Sequence, residues 1–276
     1  MFADPEVPVQ AVMPAGPQLA LIVLTGLGAI AVWIYAIAES RRRRDLVCVY
    51  VVAGSGLAVW YEALGDTMAK VYYSEQGQLT WVHAFGRDIP VFIGLLYFWY
   101  MSLGTLWLLR ATRNGVSARR WWRAWSGYLA FAIALEMVVA GGLSTPTGAP
   151  WQYYGDQGFM VLGTPVFTPF TYVSIDVAIA LGVLGVLRVL PRNRQWLLIA
   201  LVPMFMAAGH AMTALPSALA LNTTTDRLLV DLGALGSGAF AVLLSYVASL
   251  AFRSPWPLPL GAGKTDRATV RTTSVS

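Results

Sequence analysis

Apolar residues run along the chain in seven blocks, at about 17–38, 46–66, 89–109, 124–143, 166–189, 195–217 and 228–252. A helix rises about 1.5 Å per residue, so roughly 20 apolar residues cross a bilayer core. No strand-like alternation competes with these blocks. The pattern predicts an all-α, polytopic membrane protein with seven transmembrane helices in one domain over residues 17–253. Residues 1–16 contain Asp4 and Glu6 but no basic residue, unlike the start of a secretory signal. They are expected to form a short exposed tail before an uncleaved first helix. Residues 254–276 are rich in Pro, Gly, Ser and Thr and are expected to be a disordered cytosolic tail.

Composition agrees with this reading. Of 276 residues, 57% are hydrophobic and only 12% charged, against about 25% charged in a soluble domain. The charges also alternate between loops. Sixteen of the nineteen Lys and Arg fall in one set: Arg41–Arg44; Arg110, Arg113, Arg119, Arg120 and Arg123; Arg188, Arg192 and Arg194; Arg253, Lys264, Arg267 and Arg271. Only Lys70, Arg87 and Arg227 lie in the other set. The positive-inside rule then places the N-terminus outside and the C-terminus in the cytosol, as expected in a bacterial cytoplasmic membrane. It also accounts for the arginines as topology anchors, so nucleic acid is not an expected partner.

Several familiar sites do not fit. The single cysteine, Cys48, allows no internal disulfide and reads as a buried, inert thiol. With only His83 and His210, a metal site is not expected, and no cofactor motif is present. The stretch GAGKT at 261–265 lacks the earlier glycine of a phosphate loop, because position 258 is Leu258. The seventh block has no lysine for a retinal Schiff base.

Candidate chemistry lies in the ionisable residues inside the blocks, which are costly there and rare unless functional. They are Glu62 and Asp66 in the second block, Glu136 in the fourth, Asp176 in the fifth, His210 in the sixth and Asp231 in the seventh. All fall in the outer half of their spans. Taken alone, each acid also fits a hydrogen bond between helices, and Asp66 also fits a helix end at the water interface. Together they suggest a polar cavity beneath the two long outer loops, 67–88 and 144–165. Glu62 and Asp66 are four residues apart, which puts their Cβ atoms about 5–6 Å apart on one helical face. One protonated and one ionised carboxyl can divide general-acid and general-base work. His210 reads either as a proton shuttle or as a hydrogen-bonded polar residue. Trp60, Tyr61, Tyr97, Tyr153 and Tyr154 fit either a cavity lining, where ring faces stabilise a cation, or interfacial belts. Asp156, Asp231 and Arg87 complete the expected substrate-binding set.

The segments YEALGDTMAKVYY and FGRDIPVFIGLLYFWYMSLG, then Glu136, then PWQYYGDQGF, resemble the AveC-type spirocyclase family of membrane proteins over residues 55–215. The Gly-Arg-Asp-Ile-Pro element carries most of that likeness, and Ala63 stands where the family pattern leads one to expect Pro. The resemblance implies dehydration or spiroketal closure of a lipophilic, polyketide-like substrate, with Glu62, Asp66, Glu136 and Asp176 as the acid–base set. A second resemblance, in architecture alone, is to the small seven-helix membrane terpene cyclases, which protonate an isoprenoid epoxide or alkene. A proton-coupled small-molecule transporter and a non-catalytic lipid- or ligand-binding protein are the readings from other classes.

Overall fold

The computed structural model describes residues 6–112, 115–144 and 148–253. The chain is mostly helical. Helix α1 (Ala15–Arg43) is followed by α2 (Val47–Leu57), a 3-10 segment (Ala58–Tyr61) and α3 (Glu62–Ala69), which together make one continuous rod. Then come α4 (Val91–Ala111), α5 (Ala118–Glu136) with a π-helical continuation (Met137–Gly142), α6 (Thr168–Val189), α7 (Leu198–Thr223) and α8 (Arg227–Ala251). Six of these rods are long and apolar enough to cross a membrane, which points to a membrane protein. They coincide with six of the seven predicted blocks. The remaining block, 124–143, overlaps α5 and its continuation. Here Arg119, Arg120, Arg123 and Glu136 within nineteen residues dilute the apolar character. The expected tail at 254–276 lies outside the described residues.

The outward faces carry the signature of a lipid solvent. On α1, Leu19, Val23, Leu27, Ile30 and Ile34 are exposed, whereas Leu21, Thr25, Ala29, Val32 and Ala36 are buried toward the bundle. Lipid tails are as apolar as Leu, so helices associate through close packing of small residues. Gly56 lets α2 approach the Phe98 ring of α4, and Gly209 of α7 meets Ala178 of α6. A Cβ at either glycine would collide with its neighbour.

The long loops are not irregular, a departure from the helix-only expectation. Strand β1 (Val71–Tyr73) pairs antiparallel with β4 (Trp151–Tyr153), joining the two loops. Each loop also has its own hairpin: β2 (Thr80–Ala84) with β3 (Arg87–Pro90), and β5 (Met160–Val161) with β6 (Thr164–Pro165). The hairpin turns are Phe85-Gly86 and Leu162-Gly163, all four residues at positive φ, as a tight two-residue hairpin requires. Strands of two to five residues are too short to show alternation in sequence. The bundle therefore has a strand end and, opposite it, an end rich in arginine, where Arg41, Arg44 and Arg192 gather around one groove.

Candidate active site

The cavity forms where the helical rods lose regularity. The 3-10 segment tightens the second rod at Ala58–Tyr61 and delivers Tyr61 and Glu62 beneath the strands. The π-helical turn begins directly after Glu136. Helix α7 contains Pro216, less than two turns beyond His210. Mid-helix 3-10 and π segments often mark functional positions.

Glu62 accepts hydrogen bonds on both carboxylate oxygens, from the phenols of Tyr73 on β1 and Tyr97 on α4. One turn on, Asp66 is buried, and its Oδ2 has no hydrogen-bond partner among the described residues. On the facing side, the Tyr61 hydroxyl lies 3.2 Å from Nδ1 of His210, and the Tyr172 ring stacks on the imidazole at 6.4 Å. Tyr61, Glu62, Asp66, Tyr97, Thr168, Thr171, Tyr172 and His210 line one cavity of about 30 Å³. That volume holds roughly one water.

Glu136 stands beside this cavity rather than in its lining. It accepts from Tyr153 at 3.1 Å and from the Trp151 indole at 3.4 Å, and Tyr153 neighbours Tyr172. Burial, first of all, pushes the phenols of Tyr73 and Tyr153, both in the outer strands, well above the ordinary tyrosine range. They therefore remain protonated donors.

The other predicted residues are elsewhere. Asp176 is fully engaged by the Thr105 amide (2.9 Å), the Thr105 hydroxyl (3.0 Å) and the Tyr128 hydroxyl (2.5 Å), and so ties α4, α5 and α6 together. Asp231 forms an ion pair with Arg227 at 3.0 Å on α8. Trp60 is exposed on the outer face of its rod, and Asp156 is exposed in its loop. Arg87 works between the loops: it donates to the Tyr154 hydroxyl at 2.8 Å and sits over the Tyr72 and Tyr154 rings. The Tyr154 amide also bonds the Lys70 carbonyl at 2.9 Å, and Gln157 reaches the Ala69 carbonyl at 3.0 Å. The strand cap is thus fastened over the cavity. Tyr73, Tyr172 and Thr168 were not legible as site residues. The only signals for them were the Tyr-Tyr pair after Lys70 and the position of Tyr172 one turn before Asp176.

No protein-family model, curated protein or solved structure matches the chain. Among the described residues, no group of three or more His, Cys, Asp or Glu side chains could hold a metal ion.

Proposed function

We propose that this protein is a membrane-embedded acid–base enzyme that closes a ring in a lipophilic, polyketide-like molecule by dehydration, as in spiroketal formation. The observation that carries the reading is the unequal carboxyl pair. Both oxygens of Glu62 are held by phenols, whereas Asp66 brings an unpartnered oxygen to the lining of the same small cavity. A fully bonded carboxylate is a fixed negative charge, suited to stabilising an oxocarbenium ion as in glycoside cleavage. A free one can exchange a proton with a bound molecule.

In the proposed reaction, protonated Asp66 donates to a hemiketal hydroxyl. The C–O bond breaks and water leaves. A second hydroxyl of the same molecule attacks the cation, and its proton returns to the Asp66 carboxylate. The net change is loss of one water, with no cofactor in the balance. The Tyr61–His210 pair gives the proton a second acceptor. The cavity holds about one water as it stands, so the walls around it must open to admit substrate and close again to exclude solvent.

We further infer seven spans, with α5 and its π turn as the fourth, the N-terminus outside and the strand end facing away from the cytosol. The arginine distribution supports this orientation. In a Cys48→Ala background, a cysteine at Gly77 should react with an impermeant maleimide on intact cells, and one at Ser117 should react only after lysis. The reverse pattern overturns the orientation.

Two neighbouring readings share these residues. A terpene cyclase would give a product of unchanged mass. A proton-coupled transporter is favoured by Pro203 and Pro216, which lie inside the helix that carries His210 and each remove a backbone donor from it. Detergent-solubilised protein given a dihydroxyketone precursor should release a product lighter by one water. Uptake into sealed vesicles without conversion would overturn the enzyme reading.

A further inference from the structure

A second, much larger space lies on the lipid-facing side of the bundle. It is a groove of about 670 Å³ between α5, α6 and α8, with almost no polar lining. Its shape follows from how α5 and α8 meet. At the arginine end they are clamped: the Trp121 and Phe252 rings stack at 5.5 Å, and the Val116 amide bonds the Phe252 carbonyl at 3.0 Å. Beside that clamp, α5 contributes Trp122 to the groove wall. The groove follows α8 from Ala234 to Tyr246, about 18 Å at the helical rise.

One residue belongs to both spaces. Phe167, just before α6, lines the apolar groove and also the cavity of Glu62 and Asp66. It packs with Leu221, Val230 and Ala234 in a small cluster separate from the main core. Phe167 is therefore the lining residue that the apolar groove shares with the cavity of the buried carboxyls.

We infer that this groove holds the hydrocarbon tail of the substrate and that Phe167 is the gate past which its polar head reaches Asp66. The inference rests on the reading of the cavity as a reaction site. The substrate is then an elongated chain that enters sideways from the bilayer, with oxygen functions at one end and at least several methylene groups at the other. A groove with almost no polar lining selects the tail by length and apolarity. Specificity for the head is left to the cavity. Access from the membrane also fits a strand cap that is fastened by Arg87, Tyr154 and Gln157.

The test uses hexadecanol carrying a photoactivatable diazirine, at mid-chain or next to the hydroxyl, with the full-length protein in lipid nanodiscs. Mid-chain probe should label peptides of the groove, 159–170 and 234–246, well above the outward face of α1. Gly238→Trp should reduce that labelling at least five-fold. A Cβ at Gly238 meets nothing within 4 Å, and Gly238 lines the groove, so the substitution sets the new ring at the groove wall. The head-labelled probe should mark the 61–66 and 206–214 peptides more strongly in Phe167→Ala and less in Phe167→Trp. Each variant is checked for an unchanged melting temperature and monodispersity, and a destabilised Phe167→Trp is replaced by Phe167→Leu, expected to fall between wild type and Phe167→Ala. Labelling spread evenly over all lipid-facing helices and indifferent to Gly238→Trp would overturn the groove. Groove labelling without any effect of Phe167 would overturn the gate. Asp66→Asn must leave groove labelling intact. Groove labelling that persists while Asp66→Asn has no effect on conversion would instead overturn the catalytic reading alone.

Discussion

Glu62 and Asp66 sit one helical turn apart in unlike surroundings. Glu62 is clasped by one phenol from the strand cap and one from α4, whereas Asp66 keeps a buried oxygen without a partner. Tyr97→Phe should therefore leave a Glu62 oxygen unsatisfied. A hydrogen bond to a charged group is worth about 1.5–3 kcal/mol in water-soluble proteins, and side-chain hydrogen bonds between membrane helices average about 0.6 kcal/mol. The loss should lie between these values and lower the melting temperature in detergent measurably. An unchanged melting temperature would contradict the clasp. At this scale Glu62, Asp66, Tyr61, Tyr97 and His210 were legible, because ionisable residues inside apolar blocks are rare and conspicuous. Asp176 was equally conspicuous, yet its partners Thr105 and Tyr128 are ordinary residues on other helices. Only three-dimensional proximity separates a saturated carboxylate from an unpartnered one.

Among the elements, the rods were legible and their interruptions were not. Blocks of about 20 apolar residues announce helices by length alone, whereas the 3-10 segment before Glu62 and the π turn after Glu136 leave no compositional trace. The strand hairpins escaped for a related reason: two to five residues cannot establish a period. Close helix packing, by contrast, depends on single small residues and can be tested singly. A Cβ on Gly104 of α4 would lie 2.7 Å from the Asp176 carboxylate and 2.8 Å from the Tyr128 ring. Gly104→Ala should cost about 1–3 kcal/mol, the usual range for overpacking, by pushing α4 away from α6. A variant as stable as the wild type in thermal unfolding would show that this junction yields more easily than its geometry implies.

For the whole molecule, the arrangement is a helical bundle with a strand cap at one end and arginines at the other, and the buried carboxyls lie just under the cap. The charge alternation made the two ends legible. The cap itself was legible only as two long aromatic loops, since β1 and β4 are about eighty residues apart in sequence and meet only through folding. The cap and the saturated Asp176 junction lead to the central proposal: of the two buried aspartates, Asp66 reacts and Asp176 holds helices together. The most direct measurement is conversion of a dihydroxyketone precursor by purified Asp66→Asn and Asp176→Asn, each normalised to folded protein, with melting temperatures recorded alongside. Asp66→Asn should lose on the order of 10²–10⁴-fold in rate, the usual contribution of a general acid–base group, with little change in melting. Asp176→Asn should melt earlier yet convert substrate at nearly the wild-type rate per folded molecule. Equal loss of conversion in both, or full conversion by Asp66→Asn, would contradict the account.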